Sequence, residues 1–424
     1  MVFNVRCKEI KKNIIFAAIT INTIQVIMQT IIDISNRLVQ TTTDNFTRYL
    51  HHKIAWDVRL IGIVGAKGTG KTTMLLQHIK RNFSEKQKAL YASLDNIWFY
   101  KNSLWELAEQ FYAYGGTHLF LDEVHKYPTW AREIKNIYDS FPDLNVVFTG
   151  SSMLEIYQQS VDLSRRVVSY ELKGLSFREF LEYEYNLKLE KQSLENILSN
   201  HREIANSIIF DFKILPAFKK YLQIGYYPFY KKSKVNYYYA IQQAINKTLE
   251  EDLPAIEPVE YATILKLKKM LAIISEMVPY QPNTAALSAS METARQLIVK
   301  YLYLLDKAGV LMCISDMKEK LNALSKPEKV YLENTNIIYS LAKESANSGN
   351  LRETFFANQL REKHTIKVAQ NGDFTVDNQY TFEIGGKNKT GEQIKNTSHA
   401  FVVADDIESG FQNKIPLWLF GFLY

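Results

Sequence analysis

The octapeptide Gly65-Ala-Lys-Gly-Thr-Gly-Lys71-Thr72 has the spacing G-x-x-x-x-G-K-[ST]. Glycines at these positions let the backbone curl until successive N–H groups point at phosphate oxygens. A helix starting at the lysine adds its positive dipole end. The nucleotide-binding set is therefore Gly65, Ala66, Lys67, Gly68, Thr69, Gly70, Lys71, Thr72 and Thr73. Lys71 would reach the β- and γ-phosphates, and Thr72 would place its hydroxyl on Mg²⁺. The ligands expected are ATP and Mg²⁺. Two carboxylates follow, Asp122 and Glu123, at the end of the apolar run from Thr117. Asp122 is the second expected metal-site residue, acting through water, and Glu123 the general base for an attacking water. A further apolar run, Leu144-Asn-Val-Val-Phe-Thr149-Gly-Ser151-Ser152, ends in hydroxyls that could sense the γ-phosphate or simply cap the next helix.

These residues need a scaffold that brings loop ends together. The loop is preceded by Arg59-Leu-Ile-Gly-Ile-Val-Gly65 and followed by Thr73-Met-Leu-Leu-Gln-His-Ile, a strand–loop–helix context. Ala89–Asp95 reads as another buried strand, and Leu104–Tyr114 and Trp130–Ser140 as helices. Such alternation predicts a parallel sheet with helices on both faces.

Four segments occurring in order resemble one family: Leu121-Asp-Glu-Val-His-Lys-Tyr-Pro-Thr-Trp130, Phe148–Ser152, Asp162-Leu-Ser-Arg-Arg166 and Gly174-Leu-Ser-Phe-Arg-Glu-Phe180. The chain after about residue 45 resembles AAA+-type ATPases of bacteria and archaea that carry a C-terminal domain of unknown function. The resemblance implies an α/β P-loop NTPase core with a parallel sheet, then a helical lid, a winged-helix-like unit and an α+β restriction-endonuclease-like domain. It implies Walker B roles for Asp122 and Glu123. It also implies that Arg165 or Arg166 could act as an arginine finger, in this chain or on a neighbour. The catalytic set is thus Lys71, Glu123, Thr149 and Arg166. Asp122-Glu-Val-His125 also spells a DExH box, but no second alternation of strands and helices follows residue 185, which argues against a two-lobed helicase.

The expected boundaries are 1–45 for an N-terminal helical segment, 46–185 for the core, 186–275 for the lid and linker, 276–332 for the winged-helix-like unit and 333–424 for the nuclease-like domain. Leu189–Ile204 and Ala240–Glu250 have helical spacing. Gly225-Tyr-Tyr-Pro-Phe229 matches a short signature of the same family's C-terminal region. Phe218-Lys-Lys-Tyr221 and Tyr230-Lys-Lys-Ser-Lys234 mix charge with aromatics, which suits nucleic acid or a solvated helix face over a tyrosine-rich core. Thr284–Ser288 and Met291–Lys307 read as two helices, followed by strands Val310–Ile314 and Lys329–Leu332. DNA contact and protein packing are both open to such a unit. Last come Glu353, Asp373, Glu383 and Lys387, the remnant of an acid, acid, Glu-x-Lys pattern in which two carboxylates bind Mg²⁺ and a lysine helps activate water. Gly385 stands where the lysine belongs, and strand parity puts Lys387 one step further along the same face. A degenerate structural or binding domain is the expectation.

Composition bounds the rest. The chain has 424 residues, 46% hydrophobic and 23% charged, the balance of a globular protein of several domains. Only Cys7 and Cys313 are present, which excludes disulfide scaffolds and cysteine metal clusters and fits a reducing, cytoplasmic setting. A net charge of +6 permits a nucleic-acid partner without demanding one. Asn13–Ile32 is uncharged but holds too many Asn, Gln and Thr for a membrane span, and Met28 is an alternative start that would make residues 1–27 an upstream stretch. Two functions remain: an ATPase that moves its C-terminal domains, on DNA or with a second copy or protein partner, and a slow nucleotide-gated switch or scaffold.

Overall fold

A computed structural model describes residues 28–150, 163, 165–232, 234–256, 259–277, 279–315, 326–342 and 347–424. The readings for residues 1–27 and for Ser151 and Ser152 lie outside them. A helix covers 28–41. Strands β1 (Leu60–Val64), β2 (Ala89–Ser93), β3 (His118–Asp122), β4 (Asn145–Gly150) and β5 (Val168–Glu171) form a five-stranded sheet in the order β2-β3-β4-β1-β5. All its pairings are parallel. All five β1 residues are buried, as its central place requires.

Helices cover the sheet on both faces. On one side Leu104–Ala113 and Trp130–Ser140 bury Leu107, Phe111, Trp130 and Ile134 against Leu119, Leu121 and Phe148. On the other, Lys71–Asn82 packs Met74, Leu75 and Ile79 against Ile61, Ile63 and Phe120. A capping box of Ser103 and Glu106 starts Leu104–Ala113, and one of Ser176 and Glu179 starts Phe177–Tyr185.

Beyond β5, in the span of the expected lid, winged-helix and nuclease-like parts, the described residues share one apolar cluster from Phe177 to Leu423. Helices Tyr261–Met277, Thr284–Met291 and Arg295–Lys307 precede an antiparallel hairpin of β6 (Leu311–Ile314) and β7 (Lys329–Leu332), and Tyr280 bridges to Val330. The second of these helices ends at Met291 because Glu292 takes a left-handed conformation, so the third begins at Arg295 rather than Met291. The expected helix at Leu189–Ile204 is instead Leu194–Ile209, entered through the Ser193 N-cap. Last comes a mixed sheet, β12-β11-β10-β9-β8, made from β8 (Ile366–Val368), β9 (Phe374–Val376), β10 (Tyr380–Gly385), β11 (Ala400–Ala404) and β12 (Lys414–Pro416). It packs on helix Ser348–Leu360 through Phe356, Phe374, Phe382 and Phe420. No helix among the described residues is long and apolar enough to cross a membrane.

Candidate functional site

The carboxyl ends of β1, β3 and β4 meet at the loop 65–72. Gly68 and Gly70 take φ of +83° and +101°, which glycine adopts without strain. Gly70 is the N-cap of Lys71–Asn82, so the loop's amides and the helix start face one place. Lys71 is buried, and its Nζ donates to the carbonyls of Gly65 at 2.7 Å and Ala66 at 3.1 Å. Burial pulls this amine below the ordinary lysine value, opposed by the carboxylates of Glu123, Asp122 and Asp252.

Asp122, at the end of β3, is the hub. Thr72 Oγ1 donates to its Oδ2 at 2.6 Å, Tyr91 Oη donates to the same oxygen at 2.8 Å, and Thr149 Oγ1 donates to Oδ1. Glu123 N donates back to Thr149 Oγ1 at 3.2 Å. Burial and the Asp122 carboxylate raise the Tyr91 phenol above its usual value, so it stays a donor. The Thr72 hydroxyl and Asp122 carboxylate are hard oxygen donors in contact. Such a sparse set suits Mg²⁺, which keeps waters and phosphate oxygens in its shell. Glu123 has left-handed backbone angles (φ 53°, ψ 42°), a strained state that clusters at functional sites. Its Oε2 lies 3.2 Å from His125 Nε2.

Beside the loop opens a cleft of about 760 Å³, lined by Thr72, Glu123, Phe46, Tyr183, Pro228 and Phe229 among others. A Cβ on Gly68 would stand 2.6 Å from Phe229 Cε1, so the Gly225–Phe229 segment rests directly on the loop. Asn336 sets that segment: its Oδ1 accepts from Tyr226 N at 2.8 Å and Tyr237 Oη at 2.6 Å, and its amide donates to Leu222 O. From the other side, buried Arg48 donates to the Thr69, Lys173 and Gly174 carbonyls and pairs with Glu179.

The expected nucleotide residues, with Asp122, Glu123 and Thr149, therefore come together. Arg166 does not join them. It is paired with Asp139 at 3.0 Å just before β5, and the register Ile61↔Val168 puts it at the opposite end of the sheet from the loop. Within the chain Arg166 thus lies away from the phosphate loop, and the reading on a neighbour is left untouched by this placement. Arg165 sits beside it, exposed. Sequence reasoning missed Tyr91, Arg48, His125 and Asp252 as site residues. Tyr91 had a visible signal, since it lies on a strand parallel to the carboxylate strand.

The C-terminal carboxylates converge only in part. Tyr331 Oη donates to Glu353 Oε2 at 2.7 Å, and Lys329 Nζ lies 3.5 Å from the same oxygen. Asp373 Oδ2 accepts from Ile384 N. β10 ends at Gly385, so parity does not carry to Lys387. The chain turns back there, and Lys389 Nζ reaches Glu383 Oε1 at 2.9 Å. Among the described residues no group of three or more His, Cys, Asp or Glu could hold a metal ion. In the basic stretches, Phe218, Tyr221 and Tyr230 are buried, while Lys219 pairs with Asp406 and Lys220 and Lys231 with Glu184.

Residues 57–181 match a family described as an AAA domain, and residues 215–348 match a domain of unknown function, DUF8612. The uncharacterized protein MJ1637 of Methanocaldococcus jannaschii is 26% identical over 284 residues, which span 64% of this chain and 60% of that relative. Thus less than two thirds of the relative's length is matched. The Walker-type ATPase paby2304 of Pyrococcus abyssi aligns with a TM-score of 0.40 and 12% identity, covering 72% of this chain and 99% of that one. AMPPCP-bound DnaA from Aquifex aeolicus aligns with a TM-score of 0.25 and 14% identity, covering 60% and 84%. The family match and the loop geometry agree. Residues 57–181 are thus similar to the AAA domain family and fold as a parallel sheet bearing a P-loop.

Proposed function

We propose that the chain is a Mg²⁺-dependent ATPase whose nucleotide state moves the body that follows the sheet. The observation that carries this is the Asp122 hub: two hydroxyls at the ends of separate elements, Thr72 and Thr149, converge on one buried carboxylate beside the phosphate loop. Thr72 and Asp122 would hold Mg²⁺, which neutralises phosphate charge. The loop amides and Lys71 bind the β- and γ-phosphates, Glu123 orients and deprotonates the attacking water, and Thr149 holds Asp122 and the Glu123 backbone in register. Phe46, Tyr183, Pro228 and Phe229 supply the apolar wall for the base. Helices Thr284–Met291 and Arg295–Lys307 with the β6–β7 hairpin read as a winged helix, and the last sheet as a degenerate nuclease-like fold. DNA, a protein or a second copy is the partner class, and the cytoplasm the setting.

A specific arrangement favours slow turnover. Lys71 is folded onto loop carbonyls, and Phe229 rests on Gly68. That arrangement supports a second reading, a nucleotide-gated switch, in which ATP must bind one state better than the other.

The test is ATP hydrolysis by wild type and Glu123→Gln, with and without double-stranded DNA. Loss of the general base should lower kcat by about 10²–10⁴-fold with binding retained. Turnover unchanged by Glu123→Gln would refute the base assignment. Stimulation by DNA would identify the partner class. Tight ATP binding with negligible turnover in both proteins selects the switch.

A further inference from the structure

Asp252 is a fully buried acid from a distant part of the chain, and it reaches the loop. It ends the π-helical turn Thr248–Asp252 that follows helix Tyr237–Lys247, within the segment matched to the domain of unknown function. Single π turns often occur at functional sites. Its Oδ1 lies 2.9 Å from Lys67 Nζ, 2.9 Å from Lys126 Nζ and 3.3 Å from His125 Nε2. Lys67 belongs to the phosphate loop, and His125 stands two residues after Glu123.

His125 Nε2 lies between two carboxylates, 3.2 Å from Glu123 Oε2 and 3.3 Å from Asp252 Oδ1. Both oxygens are acceptors, so this nitrogen must carry the hydrogen. Asp252 fixes the ring from one side while Glu123 leans on it from the other. The same carboxylate also pairs with Lys67 of the phosphate loop and with Lys126, which it shares with Glu251 at 3.0 Å.

We propose that Asp252 is a positioning residue for ATP hydrolysis. It orients Glu123 through His125 while anchored to Lys67 of the loop, which makes the base competent only while the helical body is seated on the loop. This rests on Glu123 being the base, and the experiment separates the two ideas. Asp252→Asn, Asp252→Glu, His125→Asn and the Asp252→Asn/His125→Asn pair are compared with wild type and Glu123→Gln. Saturating turnover is measured alongside the affinity for a fluorescent ATP analogue. Asp252→Asn should lower kcat by roughly tenfold or more while affinity stays within about threefold, the pattern of an interaction used in the transition state. Asp252→Glu, which keeps the charge, should recover part of the rate. The double variant should be no slower than the slower single one, because both act through one contact. Turnover of Asp252→Asn within about twofold of wild type, or single losses that multiply, overturns the proposal even if Glu123→Gln is inactive. Active Glu123→Gln overturns the base assignment instead. If Asp252→Asn fails to fold, His125→Asn carries the kcat test from the other end.

Discussion

Replacing Arg48 by Met should destabilise the protein far more than a typical surface change. Arg48 and Glu179 are 4% and 1% exposed, and Arg48 Nε lies 3.0 Å from Glu179 Oε1. Removing one partner of such a pair leaves an uncompensated buried charge, at a cost of about 3–5 kcal/mol. Glu179 keeps two backbone donors, Tyr49 N at 2.7 Å and Ser176 N at 3.3 Å, which places its share near the lower bound. Against that, the Thr69, Lys173 and Gly174 carbonyls lose a charged donor. Together the expected loss is about 4 kcal/mol. Arg48→Met/Glu179→Gln removes both charges and should cost only about 1–2 kcal/mol, because replacing a buried pair outright is often near neutral. Equilibrium urea unfolding followed by tryptophan fluorescence at pH 7 measures Arg48→Met, Glu179→Gln and the double variant against wild type. A loss under about 1 kcal/mol for Arg48→Met, or a double variant as unstable as the sum of the singles, would refute the reasoning.

Thr149→Val keeps the shape of a residue that bridges Asp122 and the Glu123 amide. Losing a buried bond to a charged group costs about 1.5–3 kcal/mol, so kcat should fall about 10- to 100-fold with ATP affinity nearly unchanged. Steady-state hydrolysis and ATP titration check this. Acid should also destabilise the protein through a histidine pair. His78 stacks on Trp56 at 3.7 Å, and His51 Nε2 lies 3.3 Å from His78 Nδ1. Burial first, then His52 and Arg81 for the ring of His51, and His51 and His118 for the ring of His78, push them down to about 4 and about 3 respectively. The unfolded chain takes up these protons near pH 6.5, so stability is complete above that and falls as pH drops toward 4. Allowing for partial solvent screening, the loss is about 1–3 kcal/mol. His78→Phe should flatten this acid limb in urea titrations from pH 7.5 to 4.5, and an unchanged slope would count against it.

The phosphate loop was legible because its chemistry is local: contiguous backbone amides must face one ligand, and only a glycine-rich run before a helix does that. The sheet was legible for the same reason, as buried parallel strands read as short apolar runs. Asp252 and Arg48 were not. Their partners lie 185 and 131 residues away in the chain, and no spacing rule links a buried acid to a lysine across that distance. Lys389 shows a second kind of failure. Parity assumed that β10 continued, but it ends at Gly385 and the turn returns Lys389 to Glu383. The aromatic, basic stretches were ambiguous because position alone does not say whether Phe218 or Tyr230 faces solvent. The core took both.

The unbroken interior from Phe177 to Leu423 has a mechanical consequence. Densely packed cores switch between discrete arrangements and do not flex smoothly. Torque applied at one end of this body therefore reaches the other without being absorbed at an internal joint. It rests on the nucleotide domain through Glu179 under Arg48, Phe229 over Gly68 and Asp252 beside Lys67. A displacement of the loop would load Phe229 through Gly68 and Asp252 through Lys67 at once, so that both contacts shift or neither does.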